Sequence, residues 1–441
     1  MIYPLVFFSI FFLWLSWNYQ KWSLFLILML LPTYQIRFQI WKIPLTFLEV
    51  LILILFIVWL VQKAKDKKLN IFLDVQKKPL GLILILAWLL VSGGALFLSP
   101  DLRAGAGIWK AYFLEPILFL FVFLDLIRNK KDLSLAIKAL LVPGLLIAFY
   151  AFFQKITGQG VWSTEVWGQP KILRATGLFS HPNFLGLYLG PLFMLGLGYL
   201  FLNFKKNVSF IGKILFFSIL FFSSLVFAKS EGAIIAIFIA LFFCGILYKP
   251  IRKGVLISTL ILVLILLSLS SSRHYLTEKI FFQDLSGRLR VNIWKGATEI
   301  LKEKAIVGAG LNGYRVLAPE YQERYYDQGT QELISVETHP YPHNLFLTIW
   351  LELGLLGLFI FFLILFQFFR QGFKNLKKEP IAIGSIMGAM AVILIHGLVD
   401  TPYFKNDLAI LFWIIIGAMI VISRRGTEAV ITASPRKRLV P

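Results

Sequence analysis

The residues able to do acid–base or anion chemistry gather at a few points of an otherwise apolar chain. His339 and His343 lie within five residues of each other in THPYPHN, beside Tyr341 and Asn344, and the apolar run LFLTIWLELGLLGLFIF follows at once. An earlier stretch, RATGLFSHPNFLGLYL, sets Arg174, His181 and Asn183 just before another apolar run. A third, SGRLRVNIWKGATEILKEKA, supplies Arg288, Arg290 and Trp294, while Asp400 and Lys405 follow the next-to-last apolar run. Guanidinium groups present a planar fork of donors that suits a diphosphate and never lose their charge. Histidine is the natural proton acceptor near neutral pH. Several arginines and a histidine at the ends of apolar runs therefore point to a lipid diphosphate handled beside a reacting hydroxyl.

Each of these residues also has a plainer reading. An arginine at a membrane interface pairs with lipid phosphate or snorkels. His181 precedes a proline, as turn and cap residues do, and His343 beside Asn344 could cap the helix that follows. Glu115, inside an apolar run, is either functional or structurally paired with Lys110 or a neighbouring helix. Trp162, Trp167, Tyr325 and Tyr326 read as an interfacial belt, although sugar stacking uses the same residue types. No metal is expected, because His339 and His343 have no cysteine near them and Glu337 is the only close carboxylate. No cofactor is expected either.

The elements that must position these groups are membrane helices. The chain has 441 residues, is 58% hydrophobic and contains 43 Phe. Apolar runs of about 17 to 25 residues recur throughout, long enough to cross roughly 30 Å of hydrocarbon. A barrel would alternate apolar and polar residues instead. The spacing predicts an all-α polytopic protein with twelve or thirteen spans. These fall near 3–17, 22–34, 44–62, 79–98, 108–127, 134–156, 183–203, 210–228, 232–248, 254–271, 343–369, 380–399 and 406–423. The formal charge of +21 is assigned to cytoplasmic loops rather than to nucleic-acid binding. KAKDKK, Lys77, Lys78, RNKK, YKPIRK, RQGFKNLKK and the basic tail then share the cytoplasmic side. The N-terminus lacks a basic n-region and reads as an uncleaved span. With Cys244 as the single cysteine, no intrachain disulfide can form.

The resulting division is 1–271, N-terminal spans; 272–342, one long outer loop; 343–423, C-terminal spans; and 424–441, a basic tail. In the long loop, Leu289, Ile293, Ala297, Ile300 and Leu301 recur at helical spacing, with Asp284 or Ser286 as the cap. A second short helix is expected across 313–326. Arg290 and Trp294 then share one face, whereas Arg288 lies about 160° away.

Together, RATGLFSHPN, SEGAIIA, GRLRVNIWKGA, GAGLNGY and HPYPHNLFLTIWLELGLLGL resemble the O-antigen ligase and polymerase superfamily of bacterial membrane glycosyltransferases. The resemblance covers roughly residues 170–400, and its most specific part is the HN-x-x-L…E-x-G-x-x-G pattern. It implies a C-type glycosyltransferase bundle in the cytoplasmic membrane, with a large periplasmic or extracellular loop and a cytoplasmic C-terminus. It also implies metal-independent, inverting transfer of a glycan from undecaprenyl diphosphate to a hydroxyl of a glycan, glycolipid or protein. On this pattern His343 is the expected base, and Arg174 and Arg290 bind the diphosphate. Arg288 and His339 are neighbours able to substitute, with His181, Asn183, Tyr341, Asn344 and Trp294 in support. The chain departs from the pattern at Ser230-Glu231, where many members read Ser-Arg; Lys229 is the possible replacement. A polymerase of the same superfamily is the nearest alternative, and a transporter of lipid-linked sugars a more distant one.

Overall fold

A computed structural model describes residues 2–40, 43–65, 79–164, 172–204, 207–321, 325–326, 333–334 and 339–424. Lys77, Lys78, Trp167, Glu337 and residues 425–441 of the tail lie outside the described residues. Seventeen α-helices can be numbered in chain order along these residues. They are α1 (Ile2–Asn18), α2 (Gln20–Met29), α3 (Phe47–Lys65), α4 (Pro79–Phe97), α5 (Leu102–Trp109), α6 (Glu115–Leu126), α7 (Lys130–Thr157), α8 (Pro182–Asn203) and α9 (Val208–Phe227). Then come α10 (Glu231–Leu247), α11 (Arg252–Ser268), α12 (Ser270–Ile280), α13 (Leu285–Lys304), α14 (Gly313–Tyr321), α15 (Leu345–Asn375), α16 (Pro380–His396) and α17 (Asn406–Ile422). Among the described residues, strands form three two-stranded hairpins. The all-α polytopic architecture expected from the sequence is the one observed. Among the described residues seven helices are long and apolar enough to cross a membrane, and four further apolar helices are shorter.

Local sequence explains where the helices begin. Thr46 and Glu49 form a reciprocal capping box at α3: Thr46 N–H donates to Glu49 Oε2 at 2.8 Å, and Glu49 N–H donates to Thr46 Oγ1 at 3.3 Å. Asn129, Asn207 and Asn344 cap α7, α9 and α15 through their side-chain oxygens. Helix α17 is apolar all round, the pattern of a helix enclosed by others. It is buried along nearly its whole length and packs against α6 and α16. Helix α16 in turn packs on α8 and α10. The ends of α8, α10 and α17 at Pro182, Glu231 and Asn406 lie with the end of α16 at His396, and the candidate site is built there.

The long loop docks on this bundle as helices α13 and α14. Ile293, Ala297, Ile300 and Leu301 are buried with Ala309, Tyr314, Ala318 and Leu351 of α15. Leu289 departs from the expected stripe and is exposed. Asp284 precedes α13 without capping it by its side chain; its carboxylate takes Lys279 at 2.8 Å. Helix α14 stops at Tyr321 rather than continuing through 326, where Tyr325–Tyr326 pairs as a strand with Leu333–Ile334. The GAGLNGY turn locks the loop in place. Gly354 adopts φ +71° and breaks α15, and residues 306–309 fill the break. There Ala309 N–H donates to Leu351 O at 2.6 Å and Leu355 N–H donates to Ile306 O at 3.0 Å. A Cβ on Gly354 would collide with Ile306 O, so only glycine fits this approach. The Glu352 of the E-x-G-x-x-G pattern is fully buried and accepts from Asn312 N–H at 2.5 Å. That motif holds the loop to its span.

Candidate active site

Four separate stretches converge on Asp400, in the short turn between α16 and α17. The β-hairpin of Trp162–Thr164 and Ile172–Arg174 ends at Arg174. Arg174 Nε donates to Ala228 O at 2.7 Å, and Nη2 donates to Lys229 O at 3.2 Å and to Asn183 Oδ1 at 2.9 Å. Asn183 Nδ2 donates to Asp400 Oδ2 at 3.2 Å. Asp400 Oδ1 accepts from its neighbour Thr401 N–H at 2.8 Å and lies 3.4 Å from His343 Nδ1. The result is a continuous chain, Arg174–Asn183–Asp400–His343.

His343 is held ready for this contact by its backbone. It sits at φ +47°, a left-handed conformation that a residue of its kind rarely adopts. The cap of α15 is Asn344, whose Oδ1 accepts from Leu347 N–H at 2.9 Å and whose Nδ2 donates to Leu398 O at 2.9 Å. His343 is thus relieved of capping, and its ring turns toward Asp400. His339 lies edge-on to it, with ring centroids 4.6 Å apart. A tautomer that donates Nδ1–H to this carboxylate leaves the lone pair on Nε2.

Helix α13 clamps both partners from one face. Arg290 Nε donates to Val399 O at 3.0 Å, next to Asp400, and its Nη1 donates to Ser286 Oγ at 2.7 Å. One turn on, Trp294 Nε1 donates to Pro342 O at 2.9 Å, next to His343, while Phe282 meets its ring edge-on at 5.2 Å. Arg288 is exposed on another face of the helix and is not brought to this cluster. The Tyr341 ring lies tilted against Phe404, with centroids 4.7 Å apart.

Electrostatics divide the roles. Burial alone would raise the Asp400 carboxyl, but the hydrogen bond and charge of His343, His396 and the Thr401 amide outweigh it. The group is held well below the ordinary carboxylate range and stays ionised. His181 caps α8, its Nδ1 accepting from Asn183 N–H at 3.2 Å. Burial first, then Arg174, push its pKa down to about 4, so it remains neutral. At the Ser230-Glu231 position, the Glu231 carboxylate accepts from Tyr275 Oη–H at 2.7 Å and pairs with Lys279 at 2.7 Å. The cation that answers this carboxylate is therefore Lys279, from α12. Among the described residues no group of His, Cys, Asp and Glu is placed to hold a metal ion.

Two participants carried little sequence signal. Asp400 stood out only as a charge in an outer turn, 57 positions from its histidine partner. His396, one helical turn before it, is fully buried at the end of α16, and its ring packs where any side chain at Gly232 would stand. The H-x-x-x-D spacing at the end of a span was the available clue.

Residues 216–362 match the family model described as O-antigen ligase. No curated protein matches the chain. The matched segment runs from α9 into α15 and contains Arg290, Trp294 and His343, whereas Arg174, Asn183 and Asp400 reach the same site from outside it. Residues 216–362 are thus similar to the O-antigen ligase family, and they stand at the core of an all-α membrane bundle.

Proposed function

We propose that the protein transfers a glycan from undecaprenyl diphosphate to an acceptor hydroxyl at the outer face of the cytoplasmic membrane, as an O-antigen ligase does. The observation that carries this reading is the chain Arg174–Asn183–Asp400–His343, which links a guanidinium fork to an oriented histidine at the mouth of the bundle. Departure of a diphosphate places charge on its oxygens. Arginines already fixed by backbone carbonyls stabilise that charge without reorganising during the reaction. Arg174 and Arg290 fill this role in the proposal, with Lys279 nearby on α12.

His343 Nε2 takes the proton of the acceptor hydroxyl, and Asp400 stabilises the imidazolium that forms. The hydroxyl oxygen attacks the anomeric carbon opposite the diphosphate, so the C–O bond to the acceptor forms as the bond to the leaving phosphate oxygen breaks. The anomeric configuration inverts. The steps need no metal and no nucleotide-sugar. A polymerase would run the same chemistry with a second lipid-linked repeat as acceptor.

The test is donor binding and transfer with purified undecaprenyl-diphosphate-linked glycan. Arg174→Ala is expected to weaken both strongly. Arg174→Lys should restore only part, because an ammonium keeps the charge and loses the planar fork. Full activity in Arg174→Ala would contradict the assignment.

A further inference from the structure

The turn that enters the break in α15 does so at a depth that can be read along the helix. Asn344 caps one end, ten positions before Gly354, and Arg370, the next charged residue after Glu352, stands sixteen positions beyond it. At 1.5 Å per residue these spacings are about 15 and about 24 Å, or about 39 Å in all. A hydrocarbon core of roughly 30 Å fitted between the two polar ends includes Gly354 wherever it is placed. Residues 306–309, which bond to the helix on either side of Gly354, therefore lie below the bilayer surface.

Backbone at that depth has no water to bond with, and it is tolerated only where protein answers its polar groups. Here the answers are local. Besides the two bonds that bridge the break, Gly308 N–H donates to Lys304 O at 2.8 Å, and Trp350 Nε1 donates to Ala305 O at 2.8 Å. Gly308 adopts φ +78°, and a Cβ there would stand 2.5 Å from Gly354 N, so the two chains cross glycine against glycine.

The side chains change character at the same point. Lys302, Glu303 and Lys304 end α13 exposed. Ile306 and Val307, just beyond them, are also exposed, at 76% and 56%. Charge thus gives way to bare hydrocarbon between Lys304 and Ile306. Leu355, whose N–H is held by Ile306 O, is exposed as well, and so are Leu356 and Phe359 on the same helix. The apolar tip is continuous with the exposed surface of a membrane span.

We infer that residues 305–308 form a re-entrant tip set into the acyl chains of the bilayer, with Ile306 and Val307 against lipid. Lys302 and Lys304 stand at the level of the phosphates, where a lysine stem lies on apolar surface and its ammonium stays in water. Trp350 occupies the boundary that its ring and N–H suit. The tip pins to the bilayer the end of α13, the helix that carries Arg290 and Trp294.

The experiment sets a nitroxide on a single cysteine in the full-length Cys244→Ala protein, reconstituted in phosphatidylcholine vesicles. Its collisions with oxygen, which concentrates in hydrocarbon, are compared with its collisions with a water-soluble nickel chelate. Labels at Ile306→Cys and Val307→Cys should meet oxygen more often than nickel, as a label at Leu356→Cys on the span should. A label at Glu320→Cys, exposed on α14, should show the reverse order. Nickel reaching positions 306 and 307 as readily as 320 would place the tip in water and overturn the inference. Exclusion of both probes from 306 and 307 would mean that protein, such as a second copy of the chain, covers the tip, and would overturn it equally.

Discussion

Asp400→Asn exchanges one oxygen for nitrogen at the centre of a hydrogen-bond chain whose polarity is fixed from one end. A guanidinium can only donate, so the Arg174 contact at 2.9 Å fixes Oδ1 of Asn183 toward Arg174 and its Nδ2 toward Asp400. Thr401 N–H donates to the other carboxylate oxygen at 2.8 Å, the one that also faces His343 Nδ1. An amide at position 400 therefore has no satisfactory orientation. With its nitrogen toward Asn183, two NH2 groups meet. With its nitrogen toward Thr401, it meets the backbone N–H and forces His343 to turn an Nδ1 lone pair to it, which protonates Nε2. Either arrangement leaves a buried donor unsatisfied, at about 1–3 kcal/mol, and removes the negative charge that stabilises the imidazolium. Loss of an oriented general base lowers turnover by about 10²- to 10⁴-fold, and kcat of Asp400→Asn is predicted to fall within that range. The donor KM should change little, because Arg174 and Arg290 remain. Steady-state transfer kinetics with purified donor and acceptor provide the assay. A wild-type kcat in Asp400→Asn would refute the orientation argument.

Three further outcomes follow from the same geometry. Trp294→Phe keeps the ring but removes the 2.9 Å donor to Pro342 O. It should cost about 0.5–1.5 kcal/mol of stability and lower kcat more than it raises the donor KM, as thermal unfolding and kinetics would show. His181 has a folded pKa of about 4, below its ordinary 6.5, so its stabilising contribution is complete above pH 6.5 and lost as pH falls toward 4. The unfolding temperature should drop across that window, and less steeply in His181→Asn, which caps α8 without titrating. Gly354→Ala should loosen the α13–α14 segment, measurable as faster amide hydrogen exchange there, because a Cβ would displace the 306–309 turn.

Much of this arrangement was legible in the residues. The bundle follows from the run lengths, and Arg290 and Trp294 share a clamp because four residues make about one helical turn. The same rule sets Arg288 apart. Other features needed the backbone. Either His343 or Asn344 suits an N-cap by residue type, and only the φ of +47° at His343 shows that Asn344 takes the role. Glu115 and Lys110 looked like partners, but the π-helical turn between them sends Lys110 to Glu49. The E-x-G-x-x-G pattern marked a resemblance without showing its geometry, in which Gly354 interrupts the helix so that residues 306–309 can enter. The partners of Asp400, His343 and Asn183, came only with tertiary contact.

The central claim, base-assisted glycan transfer at His343, is tested most directly by one comparison. Purified wild type and His343→Ala are given the same undecaprenyl-diphosphate-linked glycan and a hydroxyl acceptor, and both glycan transfer and donor binding are measured. The account predicts transfer by the wild type, a loss of about 10²-fold or more in His343→Ala, and donor binding retained by the variant. Transfer by His343→Ala at the wild-type rate would contradict it.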